Sequence, residues 1–170
     1  MPSSEAERLS ILRNNPLFED LDKAELSMIS AKMDECTYNA GDTIIRQGEF
    51  HGKLFIIKHG YAAIIKETTD KDGLFQLTEV GRGETLGEME LVESCPASAT
   101  VEASSPTTVF TLSIEDLKSN PLTNQIIANI AKGLSSRLRY TNEVTVRALK
   151  EEVEATKSRD AMAVFFLSVI

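Results

Sequence analysis

Histidine, cysteine and clustered carboxylates are the side chains that could carry chemistry in this chain, and they are few. His51 and His59 stand eight apart in a glycine-rich stretch. A metal site on a β-barrel needs several imidazoles with a carboxylate; two histidines do not make one, and both are read as solvated loop residues. Cys95 precedes Pro96, and no lysine or arginine lies between Arg82 and Lys118 to favour a thiolate, so it is read as inert. Glu88, Glu90 and Glu93 crowd together, but without a metal ligand or basic neighbour they do not suggest acid–base catalysis. No nucleophile elbow, P-loop lysine or dinucleotide fingerprint is present. The expectation is a non-enzyme with no catalytic residue, no metal and no resident cofactor.

A chain of 170 residues, 42 % hydrophobic and 26 % charged, can bury about 70 % of the surface its unfolded form exposes. It needs no staples, and Cys36 and Cys95 make neither a disulfide framework nor a zinc ribbon; a reducing cytoplasm is the expected setting. Net charge is −8, unevenly placed: residues 1–120 hold 21 of the 26 acidic and 11 of the 18 basic side chains. Such a body repels nucleic acid, whose binding draws on phosphate neutralisation by Lys and Arg, so no nucleic-acid partner is expected. Pro2 to Glu7 offer neither the basic start nor the apolar run of a secretory signal.

The elements that position any site follow from punctuation and period. Ser4 with Glu7, and Asp22 with Glu25, read as helix caps. The second precedes Leu26, Ile29 and Met33 on one helical face, and Pro16-Leu17-Phe18 separates the two helices. Eight of the nine glycines then fall between Gly41 and Gly87, which means frequent turns. Between and after them lie short β-branched or aromatic runs at Thr43–Ile45, Leu54–Ile57, Tyr61–Lys66, Leu74–Val80, Ala99–Ala103 and Thr107–Leu112. Their spacing predicts a sandwich or barrel of antiparallel strands, with Asp72-Gly73 as a two-residue hairpin turn. From Ile114 helix returns: Ser113 and Asp116 cap a short one ended near Pro121, and a long one runs from about Thr123 to Arg159.

One segment stands apart. Gly83-Glu84-Thr85-Leu86-Gly87-Glu88-Met89-Glu90-Leu91, then Pro96-Ala97-Ser98-Ala99-Thr100-Val101, resembles the phosphate-binding cassette of cyclic nucleotide-binding domains. Earlier landmarks of that family occur in order: Leu17-Phe18 before a helix, Tyr38 followed by Gly41-Asp42-Thr43-Ile44-Ile45-Arg46-Gln47-Gly48-Glu49, and Leu54-Phe55-Ile56-Ile57-Lys58-His59-Gly60. The resemblance covers about residues 16–140. It implies a mainly β fold with flanking helices, a β-roll of the double-stranded β-helix or jelly-roll type with an N-terminal helical pair and C-terminal B and C helices. It also implies that a short helix presents N-terminal amides to an anion. Glu88 would take a ribose 2′-hydroxyl, Gly87 and Met89 would line the sugar phosphate, and Ser98 and Ala99 the phosphate's far side.

The family's phosphate-binding arginine should follow the proline, and Ala97 stands there instead. A buried phosphate without its charged partner loses about 2–5 kcal/mol, roughly 30- to several-thousand-fold in affinity. Glu90 replaces the small residue usual at its position and is expected to add negative charge beside the anion. Arg82, Arg46 and Lys53 are the cations considered as substitutes, although none holds a phosphate-ligand place in the motif. Three readings stay open: cAMP or cGMP held weakly by amides, Ser98 and the base; an uncharged nucleoside or other neutral polar ligand; or a ligand-free interaction module in which Glu88 is structural.

The expected organisation is N-terminal helices at 1–35, the β-roll at 36–113 with its cassette at 83–101, B and long C helices at 114–159, and an apolar tail at 160–170. Ile127, Leu134, Thr141, Ala148 and Ala155 recur every seven residues, joined by Ala131, Leu138 and Thr145, a seam that would pair two chains as a coiled-coil homodimer. The alternative is a first half packed on the β-domain and a second half that is a solvated spacer. Residues 161–170 carry no charge and are too few to cross a bilayer, which takes roughly 20. Stopping inside an apolar run reads as a cut ahead of a membrane segment, which would make this the cytoplasmic domain of a membrane protein; burial of the tail on its own domain or in a dimer is the alternative. The function expected is a non-catalytic regulatory domain with weak or lost cyclic-nucleotide binding, controlling or assembling a downstream module. The alternative is a working sensor that holds its ligand through Glu88, Ser98 and backbone amides.

Overall fold

A computed structural model describes residues 3–67 and 73–168, with side chains described as far as Thr156. Helix α1 spans Glu5–Arg13, and its Ser4 cap accepts the Glu7 amide at 3.3 Å. Helix α2 spans Lys23–Ser30 behind a reciprocal cap, in which Asp22 accepts the Glu25 amide at 2.9 Å and Glu25 accepts the Asp22 amide at 2.7 Å. Between them Pro16–Phe18 forms a single 3-10 turn, whose Leu17 amide donates to the Asn15 side chain at 2.9 Å.

Eight strands follow: β1 Asp34–Tyr38, β2 Thr43–Ile45, β3 Lys53–His59, β4 Ala62–Glu67, β5 Leu74–Val80, β6 Thr85–Leu86, β7 Thr100–Ala103 and β8 Thr107–Ser113. They form two four-stranded antiparallel sheets, ordered β1-β8-β3-β6 and β2-β7-β4-β5. The mainly β roll expected from the sequence is therefore present. The strand runs read from β-branched residues match β2–β5, β7 and β8; β1 and β6 escaped that reading. Asp34-Glu35-Cys36-Thr37-Tyr38 is too polar for propensity to mark, and its pairing from Asp34↔Thr111 to Tyr38↔Thr107 is what makes it a strand. In the β4–β5 hairpin Glu67 pairs with Leu74 and Gly73 has φ +79, while the expected turn at Asp72-Gly73 falls on a stretch, 68–72, that lies outside the described residues.

Phe55, Ile57, Ala62, Val101, Ala103 and Val109 fill the space between the sheets with Ile44, Ile45, Val80 and Leu86. Alternation puts Leu54 and Ile56 on the other face of β3, yet both are fully buried. That second face is covered by helices: Arg8 of α1 lies over the Phe110 ring at 5.9 Å and donates to the Met33 carbonyl at 2.7 Å. Each such buried aliphatic side chain contributes about 1.5–3 kcal/mol. Lys58 closes this face. Its ammonium meets Glu35 at 2.9 Å, Glu7 at 3.5 Å and the Ser3 hydroxyl at 2.7 Å. Hydrogen bonds from the Ser3 hydroxyl and from Lys58 hold the Glu35 carboxyl down to about 2, and the same Glu35 contact pushes the Lys58 ammonium up.

Helix α4, Ile114–Lys118, starts at Ser113, whose hydroxyl accepts the Asp116 amide at 3.4 Å. Helix α5 runs Thr123–Ser168, past the expected end. The compact body comprises residues 1–130. Within it Ile126 and Ile130 are fully buried and Asn129 donates to the Leu17 and Glu19 carbonyls at 3.1 and 2.9 Å. Ile127, the first member of the expected seam, is only half-buried. The run from Ala131 is a separate unit, on which Leu138, Val146, Leu149 and Val153 are all more than half exposed. Among the described residues no helix is long and apolar enough to cross a membrane, and the side chains of the apolar tail lie outside them.

Candidate functional site

The cassette begins where β6 pairs with β3, Phe55↔Leu86 and Ile56↔Thr85. Asn15, 2 % exposed, donates to the Gly83 carbonyl at 2.9 Å and the Thr85 hydroxyl at 2.6 Å, fastening the end of α1 to the cassette's start. Gly87 follows with φ +81 and caps helix α3, Glu88–Glu93. Only glycine suits this position: a Cβ there would sit 2.6 Å from His51 Cε1 and 2.8 Å from the Lys53 carbonyl oxygen. Ser94, at φ +51, ends the helix with its amide on the Glu90 carbonyl at 3.1 Å.

Glu88 opens α3 and is buried, and Met89 follows on the same first turn. The second limb, Ala97 to Ala99, comes against the first: the Ser98 hydroxyl lies 3.9 Å from Met89 Sδ. Ala97 is held by its backbone, its amide donating to the Glu49 carbonyl at 2.9 Å and its carbonyl accepting the Gly48 amide at 2.8 Å. Its methyl packs, half-buried, at the edge of the inter-sheet core. Gly87, Glu88, Met89, Ala97, Ser98 and Ala99 thus belong to one neighbourhood, with Ser98 exposed and Ala99 half-buried. Its two limbs are joined through the β2–β3 loop.

Glu90 does not sit as expected. Its carboxylate, buried, accepts the His51 amide at 3.1 Å and the Gly52 amide at 3.1 Å, with His51 Nδ1 also at 3.1 Å. The charge is directed into the β2–β3 loop and is compensated there by backbone donors. His51 is likewise not a solvated loop residue. Its side chain is 11 % exposed and its ring meets Phe55 edge-on at 5.6 Å. His59 is solvated as expected, its side chain 57 % exposed, but it ends strand β3 and is not a loop residue.

Of the cations named as substitutes for the missing arginine, Arg46 pairs with Glu49 at 3.7 Å in solvent, and Arg82 reaches back to the Lys58 carbonyl at 3.0 Å. Lys53 is exposed at the start of β3. Among the described residues two cations from outside the cassette touch it: Lys118 of α4 donates to the Ser94 hydroxyl at 2.8 Å, and the Lys66 ammonium of β4 donates to the Ser98 carbonyl, in the limb that holds Ala97. Sequence reasoning missed it because Lys66 and Ala97 lie far apart along the chain; the period-two pattern of β4 was the one signal that could have turned it inward. Among the described residues no three of His, Cys, Asp and Glu gather as a metal-holding group, and Cys36 and Cys95 are free thiols.

Comparison with known proteins agrees with this architecture. Residues 35–120 match the family model described as "Cyclic nucleotide-binding domain". A cAMP-dependent protein kinase regulatory subunit of Mycosarcoma maydis is 36 % identical over 96 residues, 56 % of this chain and 18 % of that relative; the chain therefore spans under a fifth of its length. A cyclic nucleotide-binding domain from Methylobacillus flagellatus superposes with a TM-score of 0.68 at 26 % identity, covering 80 % of this chain and 79 % of that one. The regulatory subunit of a cAMP-independent protein kinase A from Trypanosoma brucei gives 0.62 at 28 % identity, covering 69 % of this chain and 42 % of that one. With the roll, the cassette and the family match over half its length, this chain belongs to the cyclic nucleotide-binding domain family.

Proposed function

We propose that this chain is a non-catalytic regulatory domain whose cassette takes cAMP or cGMP with weakened affinity, and that it controls or assembles a downstream module through α5. The observation that carries this reading is Ala97. It occupies the position of the family's phosphate-binding arginine while the rest of the cassette keeps its form: Gly87 at φ +81, Glu88 buried at the head of α3, and Ser98 against Met89. Loss of a charged partner to a buried phosphate is worth about 2–5 kcal/mol, enough to move an ordinary messenger site out of its working range. The Trypanosoma brucei neighbour, a regulatory subunit of a kinase described as cAMP-independent, supports a reading in which this fold persists without ordinary messenger affinity.

Ligand capture would act through differential affinity for two poses of α5, the only way a ligand shifts such an equilibrium. The exposed apolar side chains beyond Ala131 support self-association of this helix as the means of assembly. Calorimetric titration of the chain with cAMP and cGMP tests the reading. High-micromolar or weaker dissociation constants are expected, and a low-micromolar value for either would overturn it.

A further inference from the structure

A lysine from a strand outside the cassette reaches its second limb. Along β4, Ala62 and Ile64 both pack in the inter-sheet core, and period two carries Lys66 onto the same inner face. The β4–β7 register, Ile64↔Val101 then Ile65↔Thr100, brings this end of β4 level with the limb that holds Ala97, Ser98 and Ala99. The shift in the β4–β5 pairing falls on the β5 side, where Leu77 has no partner, so the alternation of β4 is undisturbed. The ammonium of Lys66 then donates to the Ser98 carbonyl, one residue from the missing arginine.

We infer that Lys66 is the cation that meets the ligand's cyclic phosphate at this cassette, so that the site retains a preference for a cyclic nucleotide over the matching uncharged nucleoside. This rests on the reading that a cyclic nucleotide enters the cassette at all. Three features favour Lys66. A lysine ammonium has three donors, and the Ser98 carbonyl takes one. Among the described residues no carboxylate pairs with it, whereas Lys58 is engaged by Glu35 and Glu7. Of the carboxylates that could oppose it, Glu90 is already compensated by the His51 and Gly52 amides, and the adjacent Glu67 accepts from the Thr100 hydroxyl at 3.5 Å. A lysine is a point charge without the planar fork of arginine, so it restores only part of the lost affinity, in keeping with a weak site.

The test is a pair of titrations, cAMP and adenosine, against the whole chain. The unaltered protein should bind cAMP at least about tenfold tighter than adenosine, the scale of one charge-assisted contact. In Lys66→Met that margin should vanish with adenosine affinity unchanged, while Lys66→Arg should keep or widen it; circular dichroism melts confirm that both variants fold. A margin that survives Lys66→Met, or that falls instead in Lys53→Met, overturns the assignment and leaves the weak-binding reading intact. No binding of cAMP at millimolar concentration overturns both.

Discussion

Glu90 spans 38 residues of sequence to accept the Gly52 amide on both its oxygens, Oε1 at 3.1 Å and Oε2 at 3.2 Å. With the His51 amide as a second donor, the carboxylate sutures α3 to the β2–β3 loop, the same loop whose Gly48 and Glu49 grip Ala97. A residue that its sequence position suggests would repel an anion is instead a strut of the cassette.

Glu90→Ala should therefore destabilise the fold and leave cyclic-nucleotide affinity no better. Removing the buried acceptor takes the partner from the part-buried His51 and Gly52 amides, at about 1–3 kcal/mol. Chemical denaturation against the unaltered chain measures this. A variant of unchanged stability that binds cAMP more tightly would return Glu90 to the role of an electrostatic obstacle.

Ala97→Arg should raise affinity for cAMP or cGMP at least tenfold, a conservative fraction of the 2–5 kcal/mol or so that a buried charge pair is worth. Backbone bonds to Gly48 and Glu49 hold position 97 in place whatever its side chain, so the new guanidinium starts from a fixed root. Calorimetry supplies the number; an unchanged constant would mean that no phosphate approaches this limb.

The N-terminal anchor should fail in acid. The folded-state value for Glu35 lies below its ordinary 4.5, at about 2, so the unfolded chain binds a proton before the folded one does. The stability from the Ser3–Glu35–Lys58 contacts is present above about pH 4.5 and is lost progressively as pH falls toward 2. Glu35→Gln should flatten that part of the stability profile, followed by thermal melts across pH 2–5. A variant whose acid limb overlays that of the unaltered chain would assign the loss to other carboxylates.

Self-association through α5 should depend on its exposed apolar positions. Leu149, 55 % exposed, and Val153, 52 % exposed, lie four apart on one helical face. Replacing both by glutamate should weaken at least about tenfold any dimer that covers this face, which lies beside the expected seam at Ala148 and Ala155, since like charges then oppose one another, and sedimentation equilibrium reads the change. A chain that is already monomeric at high concentration excludes this mode of assembly.

The local features were legible from the amino-acid order alone. The reciprocal cap of Asp22 with Glu25, the left-handed glycines of the turn-rich stretch and the cassette motif at 83–101 depend on neighbours within a few residues, and spacing records such neighbours faithfully. The same holds for the family assignment and the mainly β class.

Tertiary structure decided what depends on register. β1 became a strand through its pairing with β8, His51 was buried by packing on Gly87 and Phe55, and Glu90 found its donors 38 residues away. Lys66 reaches Ser98 because two strands distant in sequence run side by side, and a one-residue slip in that pairing would turn its ammonium to the opposite face. No linear spacing encodes which strands become neighbours; that choice is made by the shared core of Ala62, Ile64, Val101 and Ala103, whose burial sets the register and with it the position of the charge.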